Sequence, residues 1–141
     1  MGKKIIKPAG AIYKTNCTTI RIDEEGILCV QVHENAELDR EEMESCFDIY
    51  RQLGCAEHKI LQIIDGNYNF NITKEGREYA SEHGKEFFIA SALVTTNLAV
   101  RLVFNFFMKF YKAELPFRMF KTETEARTWL YEFRTVNPPK N

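Results

Sequence analysis

Apolar and polar side chains alternate twice in the first quarter of the chain. Thr18, Ile20 and Ile22 oppose Thr19 and Arg21, and beyond the turn Glu24-Glu25-Gly26 the alternation resumes through Leu28, Val30 and Val32. A period of two broken by a glycine turn predicts a β-hairpin, with residues 11–16 extending its first strand. The period then changes. Met43, Cys46, Phe47, Tyr50 and Leu53 recur at helical spacing. Asp39 is placed to cap this helix, Glu42 to reach back from the third position, Leu38 and Met43 to staple its start, and Gly54 to end it. Residues 58–65, HKILQIID, are rich in Ile and Leu and stop at Asp65-Gly66-Asn67. They predict a central strand whose carboxyl end is a natural place for a ligand. Thr73 caps a second, mostly polar helix reaching about His83, with Tyr79 and Ala80 turned inward. A fourth strand is expected over 90–96 and a fifth over 117–121, after Leu115-Pro116. The box Thr122 to Glu125 starts a last helix with Ala126, Trp129, Leu130 and Phe133 on one face.

The stretch 97–112, NLAVRLVFNFFMKFYK, is the most apolar helix in the chain. At about 100° per residue, Asn97, Arg101, Asn105, Lys109 and Lys112 share an arc of roughly 120°, while apolar side chains cover about 200°. A surface helix needs about half that. If Ala99, Leu102, Val103, Phe106 and Phe110 pack on the sheet, then Val100, Phe104, Phe107, Met108 and Tyr111 form a second stripe that needs a cover. A two-fold copy of the chain is the simplest one, giving a homodimer; lipid or a neighbouring helix of the same domain are the alternatives. Asn97, Arg101, Asn105 and Lys109 could line a polar groove for an anion or simply form a solvated stripe, and Asp65, Asn67, Asn97 and Arg101 are candidate ligand or regulatory residues. The whole order is strand, strand, helix, strand, helix, strand, helix, strand, helix. It predicts an α/β fold with a mixed five-stranded sheet and four helices.

At 141 residues the chain fits one domain. Residues 1–10 read as a flexible lead-in, 11–135 as the domain and 136–141 as a disordered tail. The 19 basic residues nearly cancel the 20 acidic ones, so nucleic acid is not an expected partner. No apolar stretch has the ~20 residues of a membrane span, no leader pattern opens the chain, and a cytoplasmic protein is expected. Cys17, Cys29, Cys46 and Cys55 are widely spaced, and His33, His58 and His83 lack second ligands nearby. Neither set has metal-site spacing, so no metal and no cofactor is expected. Glu41, Glu42 and Glu44, like Glu123 and Glu125, cluster in first helical turns, where the helix dipole favours them. With no nucleophile beside a base and no glycine-rich phosphate cradle, there is no catalytic residue to name, and an enzyme is not expected.

Arg101 within an aromatic-rich helix, then Leu115-Pro116-Phe117-Arg118-Met119-Phe120, then Thr122-Glu123-Thr124-Glu125-Ala126 closing on Trp129-Leu130, occur in an order that resembles the STAS domain. The likeness is greatest to the small bacterial STAS-like proteins that have been grouped with lipid-transfer domains, and it spans about 18–133. It implies an anti-sigma factor antagonist-like fold and a regulatory or scaffold role through protein contacts, without catalysis. The alternative it carries is a small-molecule or lipid-binding module with an apolar pocket under the 97–112 helix. In phosphorylatable antagonists an Asp ending the third strand precedes a Ser that accepts phosphate. Here Asp65 matches the Asp, but Gly66 and Asn67 follow, so no phosphate acceptor is expected there, and Thr73 is expected as a helix cap.

Overall fold

A computed structural model describes residues 10–110 and 114–136, the side chains of Phe110, Thr135 and Val136 excepted. The expected lead-in and tail therefore lie almost wholly outside the described residues, as does Tyr111. Among the described residues, eight strands and four α-helices follow one another: β1 (Ile12–Lys14), β2 (Thr18–Ile22), β3 (Leu28–Val32), β4 (Ala36–Leu38), α1 (Arg40–Gln52), β5 (Ile60–Asp65), β6 (Phe70–Ile72), α2 (Lys74–His83), β7 (Phe88–Val94), α3 (Leu98–Phe110), β8 (Phe117–Phe120) and α4 (Glu123–Val136). The main sheet runs β1-β2-β3-β5-β7-β8, and β4 pairs with β6 in a separate ladder. β1 and β2 are antiparallel to their neighbours, while β3, β5, β7 and β8 are parallel, as helical crossovers dictate.

The sheet thus has six strands where five were expected. Residues 11–16 do not extend β2, because the chain reverses at Thr15, whose Oγ1 accepts from the amides of Cys17 (3.3 Å) and Thr18 (3.0 Å). This leaves β1 as its own antiparallel edge strand. The β4–β6 ladder was not anticipated, since three-residue strands are too short to show a period.

Local chemistry sets the helix ends. Asp39 accepts from the Glu42 amide at 2.8 Å, and Gly54 takes φ 83° past the end of α1. Glu42 does not reach back to Asp39. Its buried carboxylate instead accepts from the Thr15 hydroxyl and the Cys17 amide, tying α1 to the β1–β2 turn. Thr73 Oγ1 accepts from the Gly76 amide at 3.0 Å to cap α2.

The sheet is packed on both faces. On one, Cys46, Phe47, Tyr50 and Leu53 of α1 meet Ile20, Ile22, Leu28 and Val30, with Tyr79, Phe87 and Phe88 alongside. On the other, Ala126 and Leu130 of α4 lie on Leu61, Ile63, Ala90, Ala92 and Val94. Burying a side chain such as Leu130 contributes about 1.5–3 kcal/mol. A register shift between Ile60 and Leu61 opposite β7 keeps Ser91 facing Gln62.

α3 is the exception. Unlike the other three helices, it makes no extended backbone approach to any element. Its orientation is the reverse of the expected one. Val100 is buried and Phe104 and Phe107 half-buried, whereas Leu98, Ala99, Leu102, Val103 and Phe106 face outward, with Met108 at the margin. The inward turn has a specific cause, for Phe104 stacks on Phe117 (centroids 5.7 Å apart) and packs against Val32, Leu38 and Ile72.

Candidate functional site

The gap beneath α3 is a cavity of about 470 Å³. Its floor is the sheet, with Val30 and Val32 of β3, Gln62 and Ile64 of β5, Ser91 and Leu93 of β7 and Phe117 of β8; Met43, Cys46, Phe47 and Tyr50 of α1 form one wall. Phe104, Phe107 and Met108 roof it from α3. Opposite, α2 contributes Arg77, Ala80 and Ser81 and its C-cap Gly84 follows, a face spaced i, i+3, i+4, i+7. After the arginine these side chains are small or absent, which leaves room that larger residues would fill.

Polar groups on the floor satisfy one another. The Ser91 hydroxyl donates to Gln62 Oε1 at 2.6 Å, and Gln62 Nε2 donates to the Tyr50 hydroxyl at 3.3 Å. Burial pushes the Cys46 thiol up to about 11 and the Tyr50 phenol well above its ordinary value, so both stay neutral at physiological pH. Arg77 is then the only charged side chain among the described residues that line the cavity. Its Nη1 donates to the Ile72 carbonyl at 2.6 Å and its guanidinium carbon lies 5.3 Å from the centre of the Phe107 ring. Its Nε is buried and has no hydrogen-bond acceptor among the described residues.

Of the residues singled out from sequence, Val100, Phe104, Phe107 and Met108 are brought to the inner side or edge of α3. Phe104, Phe107 and Met108 line the cavity in place of forming the outward stripe expected of them. Asp65, Asn67, Asn97 and Arg101 do come together, at the carboxyl ends of β5 and β7. Asn67 Nδ2 donates to Asp65 at 3.0 Å and its Oδ1 accepts from the Thr96 amide at 3.1 Å. Asn97 Oδ1 caps α3 by accepting from Val100, its Nδ2 donates to Asn69 at 2.6 Å, and Arg101 Nη1 donates to the Thr95 carbonyl at 3.4 Å. Asn67 and Asn97 knit the two loops to each other, while Asp65 and Arg101 brace the loop to which each belongs. At Gly66 an added Cβ would lie 2.8 Å from Phe70 Cε1 and 3.0 Å from Leu93 Cδ1, so a serine there would displace both.

Sequence reasoning passed over Gln62, Ser91 and Arg77. Gln62 left a signal, as a polar residue on the buried face of an Ile-rich run. Arg77 left none, because an arginine on a polar helix reads as solvent-facing until α3 is set above it.

A domain of unknown function, DUF7793, matches residues 20–134. The chain belongs to that family. Among solved structures, this DUF7793 chain is similar to an uncharacterised protein of the DUF3478 family with a SpoIIAA-like fold from Shewanella loihica PV-4, at 15% identity and TM-score 0.53, covering 85% of this chain and 90% of that one. It is also similar to the anti-sigma factor antagonist SpoIIAA in its unphosphorylated form, at 16% identity and TM-score 0.54, covering 81% of this chain and 97% of that one. Both likenesses establish the STAS-like fold. No curated protein matches the DUF7793 chain.

Proposed function

We propose that the chain is a non-enzymatic regulatory domain of the cytoplasm that acts through protein contacts, with the outward row of α3 as the contact surface and a second copy of the chain as its first occupant. One observation carries this reading. Leu98, Leu102 and Phe106, one helical turn apart, are 68%, 59% and 66% exposed on a single face. Three large apolar side chains in a row on a small domain favour a covered state, and a helix row is readily self-complementary across a two-fold axis. The STAS-like fold, shared with an anti-sigma factor antagonist, supports the regulatory part, and the four free thiols, two of them buried, support the compartment. Sedimentation velocity of the wild type and Leu102→Glu tests the contact. The wild type should sediment as a dimer and Leu102→Glu as a folded monomer, since a charge is costly in a desolvated interface and cheap in water. A wild type that stays monomeric at high concentration removes the second copy as occupant, and a Leu102→Glu protein that still dimerises moves the contact off this row.

The cavity favours a second reading, in which the domain also holds a small apolar molecule. About 470 Å³ lies within the usual size range of ligand pockets. A space that large beneath a loosely held helix is costly to leave unfilled.

A further inference from the structure

We infer that the cavity takes a molecule with an acyl chain and a carboxylate head, the head seated on Arg77; this rests on the second reading above and names its ligand class. The chain half of the inference follows from shape and lining. Val30, Ile64, Leu93, Phe104 and Phe107 enclose a volume that, at roughly the 30 Å³ a water or methylene occupies, holds on the order of a dozen chain atoms.

The head follows from charge. Arg77 takes part in none of the ion pairs among the described residues, and it differs from the other arginines in lining the cavity with a covered Nε. A guanidinium drawn against an apolar wall loses hydration, and the ring of Phe107 and the Ile72 carbonyl replace only part of it. The buried Nε–H still lacks an acceptor. With Nη1 occupied by Ile72, the remaining donors lie along the Nε–Nη2 edge, a pair of parallel N–H bonds that matches the two oxygens of a carboxylate once the packing that covers Nε parts to admit one. Among the described residues, no carboxylate lines the cavity to take that place. The Gln62, Ser91 and Tyr50 row is bonded internally and uncharged, so it offers an anion at most the neutral Tyr50 hydroxyl against the charged, paired donors of Arg77. A neutral apolar guest would leave the Arg77 Nε–H without an acceptor, and a cationic one would be repelled.

Titration of the full chain with decanoate and with decanol, followed by methyl NMR of Ile64, Leu93 and Met43, separates head from chain. Decanoate should shift these methyls and bind at least tenfold more tightly than decanol, and Arg77→Met should bring the two together by weakening decanoate alone. Arg77→Lys keeps the charge but loses the paired edge, and should fall between them; it also serves if the methionine variant does not fold. Equal affinity of the two compounds for the wild type would overturn the carboxylate head while leaving an apolar ligand in place. If neither compound shifts the cavity methyls, the ligand reading itself falls and this inference with it.

Discussion

Gly76 sits in the first turn of α2, where glycine costs about 1 kcal/mol of helix stability relative to alanine. The reason it is there lies outside the helix. A Cβ at this position would stand 2.3 Å from the carbonyl oxygen of Leu38, a backbone atom of the β4–β6 ladder that cannot swing aside. Leu38 in turn accepts from the Thr73 amide at 3.1 Å, so the close approach and the start of α2 are one arrangement. Gly76→Ala should therefore lower stability by about 2 kcal/mol or more, the steric loss exceeding the gain in propensity. Urea denaturation reads the effect directly, and a midpoint that rises would mean that the ladder yields easily. From sequence alone the same substitution looks stabilising, because the helix period and the Thr73 cap are local and the Leu38 carbonyl is not.

At the scale of elements, α4 and the β2–β3 turn are joined by one arginine. Arg127 donates to Asp23 (2.8 Å), Glu25 (2.9 Å) and Glu123 (2.8 Å), with both Arg127 and Asp23 largely buried. Tyr131 and Arg134 of the same helix donate to the side chain and the carbonyl of Glu25. Burial by itself would raise the carboxyl pKa of Asp23. The Ile27 amide and the Arg127 guanidinium outweigh it and hold the value below 3.8. A carboxyl lowered in the folded state contributes stability above its unfolded pKa and loses it as pH falls through the folded one. The stability difference between wild type and Asp23→Asn should thus be largest near neutrality and shrink below about pH 4. Arg127→Met should cost about 2 kcal/mol at neutral pH, because it strands a buried Asp23 charge. Thermal unfolding over a pH series checks both, and a difference that stays constant with pH would show that Asp23 gains nothing from its partners. The helix itself was legible, with Thr122 as its cap and Ala126 and Leu130 inward; Trp129 proves only half-buried, between Phe120 and Phe133. The charge cluster was not legible, since residues 23 and 127 are neighbours only once the hairpin and α4 share a face of the sheet.

For the molecule as a whole, cohesion is uneven. β5 and β7 lie at the centre of the parallel sheet under cover on both faces, whereas α3 rests on a few aromatic contacts above a cavity. Local opening follows buried contact, so amide exchange in α3 should run at least an order of magnitude faster than in β5 and β7. Comparable protection in all three would mean that the helix is released only with the sheet. Within the described residues no helix is long and apolar enough to cross a membrane. The apolar surplus of α3 divides between the cavity and the outward row.

The sequence by itself determined the element types, their order and most of their ends, because periodicity, caps and glycine stops act over a few residues and do not depend on what lies across the fold. It also determined that α3 carries more apolar surface than one face can bury. Tertiary structure alone decided which part of that surface turns inward, because an apolar arc of about 200° permits several rotations that bury similar area. The stacking of Phe104 on Phe117, residues from different elements, selects one of them. The sixth strand, the β4–β6 ladder and the covered Nε of Arg77 belong to the same class. Each depends on contacts between segments distant in the chain, and no local pattern of polarity records them.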